Sequence, residues 1–245
     1  MQRYAYLLLV PLLIPALAGA QPAPAPATAR PAAAKAAAVP DTLEQRLAAC
    51  AICHGKRGEG TFRNEYHPRL AGKPTEYLYN QLIGFRERRR SASPIMTYMV
   101  GGLSDNYLHE IAAYYAALRP PFPAPVTRAP LARLKLGETI ALKGLPARDI
   151  PACTGCHGGP LSGMLPAIPG LVGLNPDYIA AQLGAWRSGL RNSTAPDCMA
   201  RIASRMTGDD ISAVAAFLAF QVASPDVPPA PAQTAKLPLA CGSVQ

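Results

Sequence analysis

The sequence predicts an all-α protein built as two tandem domains, and three observations in the 245-residue chain carry that prediction. The pentapeptide Cys-x-x-Cys-His occurs twice, as Cys50-Ala51-Ile52-Cys53-His54 and as Cys153-Thr154-Gly155-Cys156-His157. The residues downstream of each copy recur in the same order, the mark of an internal repeat. Proline-rich stretches fall before, between and after the two copies, where domain boundaries belong.

In chain order, residues 1–20 read as a secretion signal. Arg3 supplies the positive start, Leu7 to Leu17 the apolar run, and Ala18-Gly19-Ala20 the small-residue cleavage site. Cleavage after Ala20 makes a periplasmic protein; left uncleaved, the same stretch makes a membrane anchor, although Pro11 and Pro15 interrupt it and it is short for a span. Residues 21–40 are almost wholly Ala and Pro, a tether that cannot bury a core. Residues 41–120 form the first domain. There Thr42 and Gln45 make a capping box for a helix that delivers Cys50, and apolar spacing predicts helices from Thr75 to Phe85 and from Ser104 to Leu118. Residues 121–132 are the linker, 133–222 the second domain, and 223–245 a Pro-rich tail carrying Cys241. Ser104 and Thr207 are natural N-caps, each followed by acidic residues in the first turn.

The pentapeptide has a chemical reading. Two thiols three residues apart on one helical turn can add to the two vinyl groups along one edge of a haem, and the adjacent histidine then sits under the iron. The two copies use four of the six cysteines and two of the four histidines. A thioredoxin-like pair would need a βαβ setting, which neither motif has, and a zinc site would need cysteines and histidines converging on one metal. The expected cofactors are two covalently bound haem c groups, attached at Cys50 and Cys53 and at Cys153 and Cys156, with His54 and His157 as metal ligands. Domains this small bury little surface of their own, so each haem is expected to serve as much of its core.

The repeat extends well beyond the motif. The loop Pro68-Arg69-Leu70-Ala71-Gly72 matches Pro169-Gly170-Leu171-Val172-Gly173, and Tyr77-x-x-x-Gln81-Leu82 matches Tyr178-x-x-x-Gln182-Leu183. Phe85 matches Trp186, Met96 matches Met199, and each methionine stands seven residues before the start of the last helix, at Leu103 and Met206. With these motifs, residues 41 to 222 resemble the class I cytochromes c in two-domain form, most nearly the periplasmic di-haem cytochromes of the c-four type. The resemblance implies that the carbonyls of Pro68 and Pro169 accept hydrogen bonds from the histidine rings. It also favours Met96 and Met199 as sixth iron ligands, with Met99 open as the alternative in the first domain. Tyr77, Tyr178, Phe85 and Trp186 are expected to pack on the porphyrins. A bis-histidine site through His67 is the lesser reading, and His109 is expected to be exposed.

Cys198 and Cys241 have no counterparts in the first repeat. Two spare thiols in an oxidising compartment are expected to pair, which would clamp the loop that carries Met199.

The formal net charge is +9, or +8 without Arg3, and the propionates of two haems offset part of it. Arg86, Arg88, Arg89 and Arg90 cluster after the Tyr77 helix, either as a solvated helix end or as contacts to propionates or an acidic partner. Export and haem exclude a nucleic-acid role. The reading is a carrier of single electrons between redox proteins of a respiratory chain. It acts either as a free shuttle meeting partners with acidic docking surfaces or as the cytochrome subunit of a membrane-associated dehydrogenase or oxidase. The alternative is a di-haem oxidoreductase acting on peroxide or a sulfur compound, which needs an open iron position.

Overall fold

The computed structural model describes residues 42–61, 64–125, 129–232 and 236–244. The expected signal and tether, residues 1–40, lie outside the described residues. The first repeat folds as α1 (Leu43–Arg46), α2 (Ala48–His54), α3 (Thr75–Arg86), α4 (Pro94–Val100) and α5 (Asp105–Ala117). The second folds as α6 (Leu131–Lys143), α7 (Thr154–His157), α8 (Pro176–Arg187), α9 (Cys198–Ala203) and α10 (Gly208–Phe220), with a two-residue hairpin, β1 (Gly163–Met164) and β2 (Ile168–Pro169), between α7 and α8.

Local chemistry sets the helix starts. The Thr42 hydroxyl accepts from the Gln45 backbone N–H while the Gln45 side chain reaches back to Thr42, closing the capping box that opens α1. Ser104 accepts from Tyr107 N at the start of α5, and Thr207 and Asp210 form the equivalent box on α10. Each repeat encloses its own apolar core, around Leu78, Leu108, Ile111 and Tyr115 in the first and Ile140, Tyr178, Val214 and Leu218 in the second. In the second core α10 packs on both α6 and α8. Gly137 makes the α6–α10 crossing close, since a β-carbon there would collide with the Ala213 carbonyl and the Phe217 side chain.

The segment between the repeats is more structured than its composition suggests. Helix α6 starts at Leu131, inside the stretch read as linker, because Pro130 has a φ of −58° suited to a helix start. Pro120 and Pro121 accept hydrogen bonds from the buried Arg69 guanidinium, at 2.5 and 3.0 Å, and Arg69 stacks over the Phe122 ring. Phe122 in turn packs against Gly173 of the second repeat.

Asp210 is the polar anchor of the second core. It is almost fully buried, accepts from Thr207 and holds a two-pronged pair with Arg148 at 2.6 and 2.9 Å. The Arg148 hydrogen bonds and the cap hold its carboxyl down to about 2. A depressed carboxylate contributes stability above its unfolded value, near 3.9, and loses it as pH falls through the folded value. We expect Asp210→Ala to cost about 1.5–3 kcal/mol through the lost hydrogen bonds to Arg148 and Thr207. We also expect the wild type's margin over the variant to vanish between about pH 4 and pH 2 in acid unfolding followed by circular dichroism.

Candidate haem-binding sites and the seam between them

Each Cys-x-x-Cys-His turn lies on a short helix that ends in a buried imidazole. His54 closes α2 and its Nδ1–H donates to the Pro68 carbonyl at 2.9 Å; His157 closes α7 and donates to the Pro169 carbonyl at 2.8 Å. Because Nδ1 is committed to a carbonyl, Nε2 carries the free lone pair of each ring, the tautomer an iron ligand needs. Burial lowers both imidazole pKa values below the ordinary range, which keeps them neutral and able to ligate. Burial pushes the Cys153 thiol up to about 11 and raises Cys50 and Cys156 as well, so these are not the acidic thiols of a disulfide exchange enzyme.

The methionines separate by burial. Met96, on α4, packs against the first core, whereas Met99 on the same helix is 39% exposed. Met199, on α9, packs against the second core and lines the same cavity as Cys153, Cys156 and His157. Met206 and Met164 are buried apolar filler, Met164 within strand β1. Of the remaining histidines, His109 is half-exposed and pairs with Glu76 at 3.0 Å.

The second cavity holds about 1420 Å³ of empty space, part of it open to solvent, with Ile140, Leu183, Trp186 and Leu218 among its apolar walls. Trp186 Nε1 is buried there without a hydrogen-bond partner among the described residues. An apolar cavity flanked by paired thiols, a neutral imidazole and an orphaned donor fits a haem, whose rim is apolar except for its anionic propionates.

Between the repeats lies a seam with near two-fold symmetry that joins matching residues to one another. Arg90 and Arg191 pair as an antiparallel bridge, flanked by Ser91 N to Leu190 O at 2.8 Å and Asn192 N to Arg89 O at 2.7 Å. Each guanidinium bonds the glutamine of its own repeat and that of the other. Arg90 reaches Gln81 at 3.2 Å and Gln182 at 2.8 Å, and Arg191 reaches Gln182 and Gln81, both at 2.8 Å. Each also lies over an aromatic ring of its own repeat, Arg90 on Phe85 and Arg191 on Trp186. Phe85 and Trp186 therefore support the arginines as well as the cores.

Lys73 joins this seam, donating to the Gly170 carbonyl at 3.2 Å. Lys73, Arg90 and Arg191 are all buried, and no acidic side chain is recorded as their partner among the described residues. Burial and mutual repulsion lower Lys73, and they bring Arg90 down to about 10, still cationic at neutral pH. Burial would raise the Tyr77 phenol, but Arg191, Lys73 and Arg90 together outweigh it and pull it down to about 8. Tyr178, its counterpart, is raised, first by burial and then by Tyr77. Buried cations without carboxylates are costly alone and suit an incoming anion.

The C-terminal tail is fastened to this region. Cys198 and Cys241 are joined as a disulfide across 43 positions of sequence, and Gly242 N bonds the Pro196 carbonyl at 3.0 Å. Asn80 of α3 donates to the Ser243 carbonyl at 3.3 Å, which ties the tail to the first repeat.

Comparison with known proteins finds cytochromes and proteins of thiosulfate oxidation. A thiosulfate dehydrogenase electron acceptor from Thiomonas intermedia (strain K12) is 40% identical over 181 residues, 73% of this chain and 81% of that protein. The crystal structure of reduced cytochrome c4 from Pseudomonas stutzeri superposes with a TM-score of 0.61 at 31% identity, covering 72% of this chain and 95% of that one. A thiosulfate dehydrogenase structure from Marichromatium purpuratum matches with a TM-score of 0.64 at 34% identity, covering 71% of this chain but only 36% of that one. No protein-family model matches.

Proposed function

The chain belongs to the cytochrome c4 family of di-haem cytochromes, and from that premise we propose how its own residues hold two haems and which proteins it serves. It is an electron carrier rather than an enzyme, with two covalently bound haems. A haem c supplies an iron that changes by one electron; everything else belongs to the chain. In our reading Cys50 and Cys53 fix one haem and Cys153 and Cys156 the other. His54 and His157, oriented by the Pro68 and Pro169 carbonyls, would each ligate one iron, and Met96 and Met199 would be the second protein ligands. The cations Lys73, Arg90 and Arg191, with the Trp186 N–H, receive propionates at the seam, which brings the two haems together there. Tyr77 and Tyr178 flank the same place.

The observation that carries this reading is the repetition. Both halves present a thiol pair, a buried imidazole with its Nδ1–H bonded to a proline carbonyl, and an inward methionine. Methionine and histidine as the two protein ligands of an iron would raise its reduction potential and would leave no place for a substrate, which suits transfer rather than turnover.

We infer that the electron donor is a thiosulfate dehydrogenase, on the strength of the relative that bears the name of its acceptor, and that the electrons pass on to a respiratory chain in the periplasm. Export is supported by the signal-like residues 1–20 and by the Cys198–Cys241 disulfide. No helix among the described residues is long and apolar enough to cross a membrane. The exposed Lys56 and Arg57 beside the first motif suit a partner with an acidic docking surface.

The test mixes the oxidised holoprotein with thiosulfate dehydrogenase and thiosulfate and follows haem reduction optically. Rapid reduction that slows as salt rises is expected, since steering by exposed charge is screened over about 10 Å at 0.1 M salt. Reduction no faster than with thiosulfate alone would remove this donor. Sustained turnover of thiosulfate or peroxide without a partner would instead favour the oxidoreductase reading.

A further inference from the structure

The two halves differ at the outer side of the Cys-x-x-Cys turn, where the repeat would make them the same. The matched positions are Ile52 and Gly155. In the first half Ile52 is 84% exposed and Cys53 beside it is exposed too. In the second half the corresponding space is filled by the tail. A β-carbon on Gly155 would lie 3.1 Å from Pro238 Cγ, so the glycine leaves the room that the proline occupies. Cys156, the counterpart of Cys53, is partly buried.

The rest of the tail continues the cover. Leu237, Leu239, Cys241, Ser243 and Val244 line the same cavity as Cys153, Cys156 and His157. Three fastenings hold the segment there: the disulfide to Cys198, the Gly242 N–H to the Pro196 carbonyl, and Asn80 to Ser243. Among the described residues the first repeat has no such segment, because the chain after α5 leaves through Pro120 and Pro121 to the Arg69 guanidinium.

We propose that residues 236–244 are a fixed cover over the edge of the second haem bonded to Cys153 and Cys156, and that the first haem is therefore the port through which the protein exchanges electrons with its partners. Outer-sphere exchange falls steeply with distance, so a layer of side chains over one edge and none over the other directs traffic to the uncovered side. The second haem is filled and emptied across the seam. The inference rests on the two-haem reading above, and the haem count by intact mass tests that reading separately.

Cover and port have separate tests on the holoprotein. For the cover, a soluble gadolinium chelate is added to the fully reduced protein, and broadening of the haem-methyl resonances is measured by NMR. The resonances of the first haem should broaden several-fold more than those of the second. Deleting residues 236–245 together with Cys198→Ser should make the second set broaden like the first. Equal broadening in the intact protein overturns the cover, and that arm needs no variant to fold. For the port, oxidation of the reduced protein by ferricyanide is followed in stopped flow. Ile52→Glu should slow it several-fold in the intact chain and much less in the tail-deleted one. An intact-chain rate unchanged by Ile52→Glu overturns the port.

Discussion

Replacing Met199 with histidine is expected to lower one of the two reduction potentials and leave the other nearly unchanged. Axial ligands span roughly 0.8 V among haem proteins, and exchange of a thioether for an imidazole should move one step of the titration by on the order of 0.1 V or more. The basis is placement. Met199 stands one residue inside α9, whose start is fixed by Asp197 accepting from Ala200 N at 3.0 Å and from Ser193 N at 2.6 Å. Its side chain lines the cavity that holds His157. The same exchange at Met96 should lower the other potential, since Met96 points into the first core. Met99→His should lower neither, because that side chain is 39% exposed whereas Met96 packs against the first core. Spectroelectrochemical titration of the three variants decides the matter. A drop with Met99→His and none with Met96→His would reverse the ligand assignment in the first half.

The seam should give the second large effect. Arg191→Met removes a guanidinium that binds two glutamines at 2.8 Å each and stacks on Trp186 at 3.7 Å, and it leaves Gln81 and Gln182 each short of one partner. Losing buried hydrogen bonds to a charged group predicts a cost of roughly 2–4 kcal/mol. Some of that is offset by relief of repulsion with Arg90 and Lys73. Arg191→Lys should recover little, because a lysine cannot reproduce the planar fork that spans both glutamines. Denaturant unfolding of the holoprotein measures the cost. A change within about 0.5 kcal/mol, the range of ordinary surface substitutions, would mean that the seam does not hold the halves together.

That seam marks the limit of what the sequence alone conveys. The caps at Thr42, Ser104 and Thr207 are local chemistry, and local chemistry is legible in a few residues. The thiol pairs and their histidines are legible for the same reason, and the inward methionines follow from the repeat. Gln81 and Gln182 are also visible as a matched pair, but a repeat suggests that matched residues do the same job in separate domains. Here they share arginines across a symmetry axis, a contact between distant parts of the chain that no periodicity records. Arg90 reads in sequence as one of four arginines at a helix end, yet it is buried while Arg88 is exposed. The linker's attachment to Arg69 was hidden similarly, since prolines announce a break in helix without saying what their carbonyls will accept. The tail poses a third case. Cysteine arithmetic points to Cys198 and Cys241 as partners, but the fit of Pro238 to Gly155 depends on a missing side chain, which carries no pattern of its own.

Each half of the chain is expected to bind one haem through its own Cys-x-x-Cys-His turn. Mass spectrometry tests it most directly, on the denatured holoprotein after acid–acetone extraction and then on its proteolytic peptides. The expected intact mass exceeds that of the apo chain by two haems, with one haem on the peptide containing Cys50 to His54 and one on the peptide containing Cys153 to His157. A single retained haem, or a haem-free peptide from either motif, would contradict it.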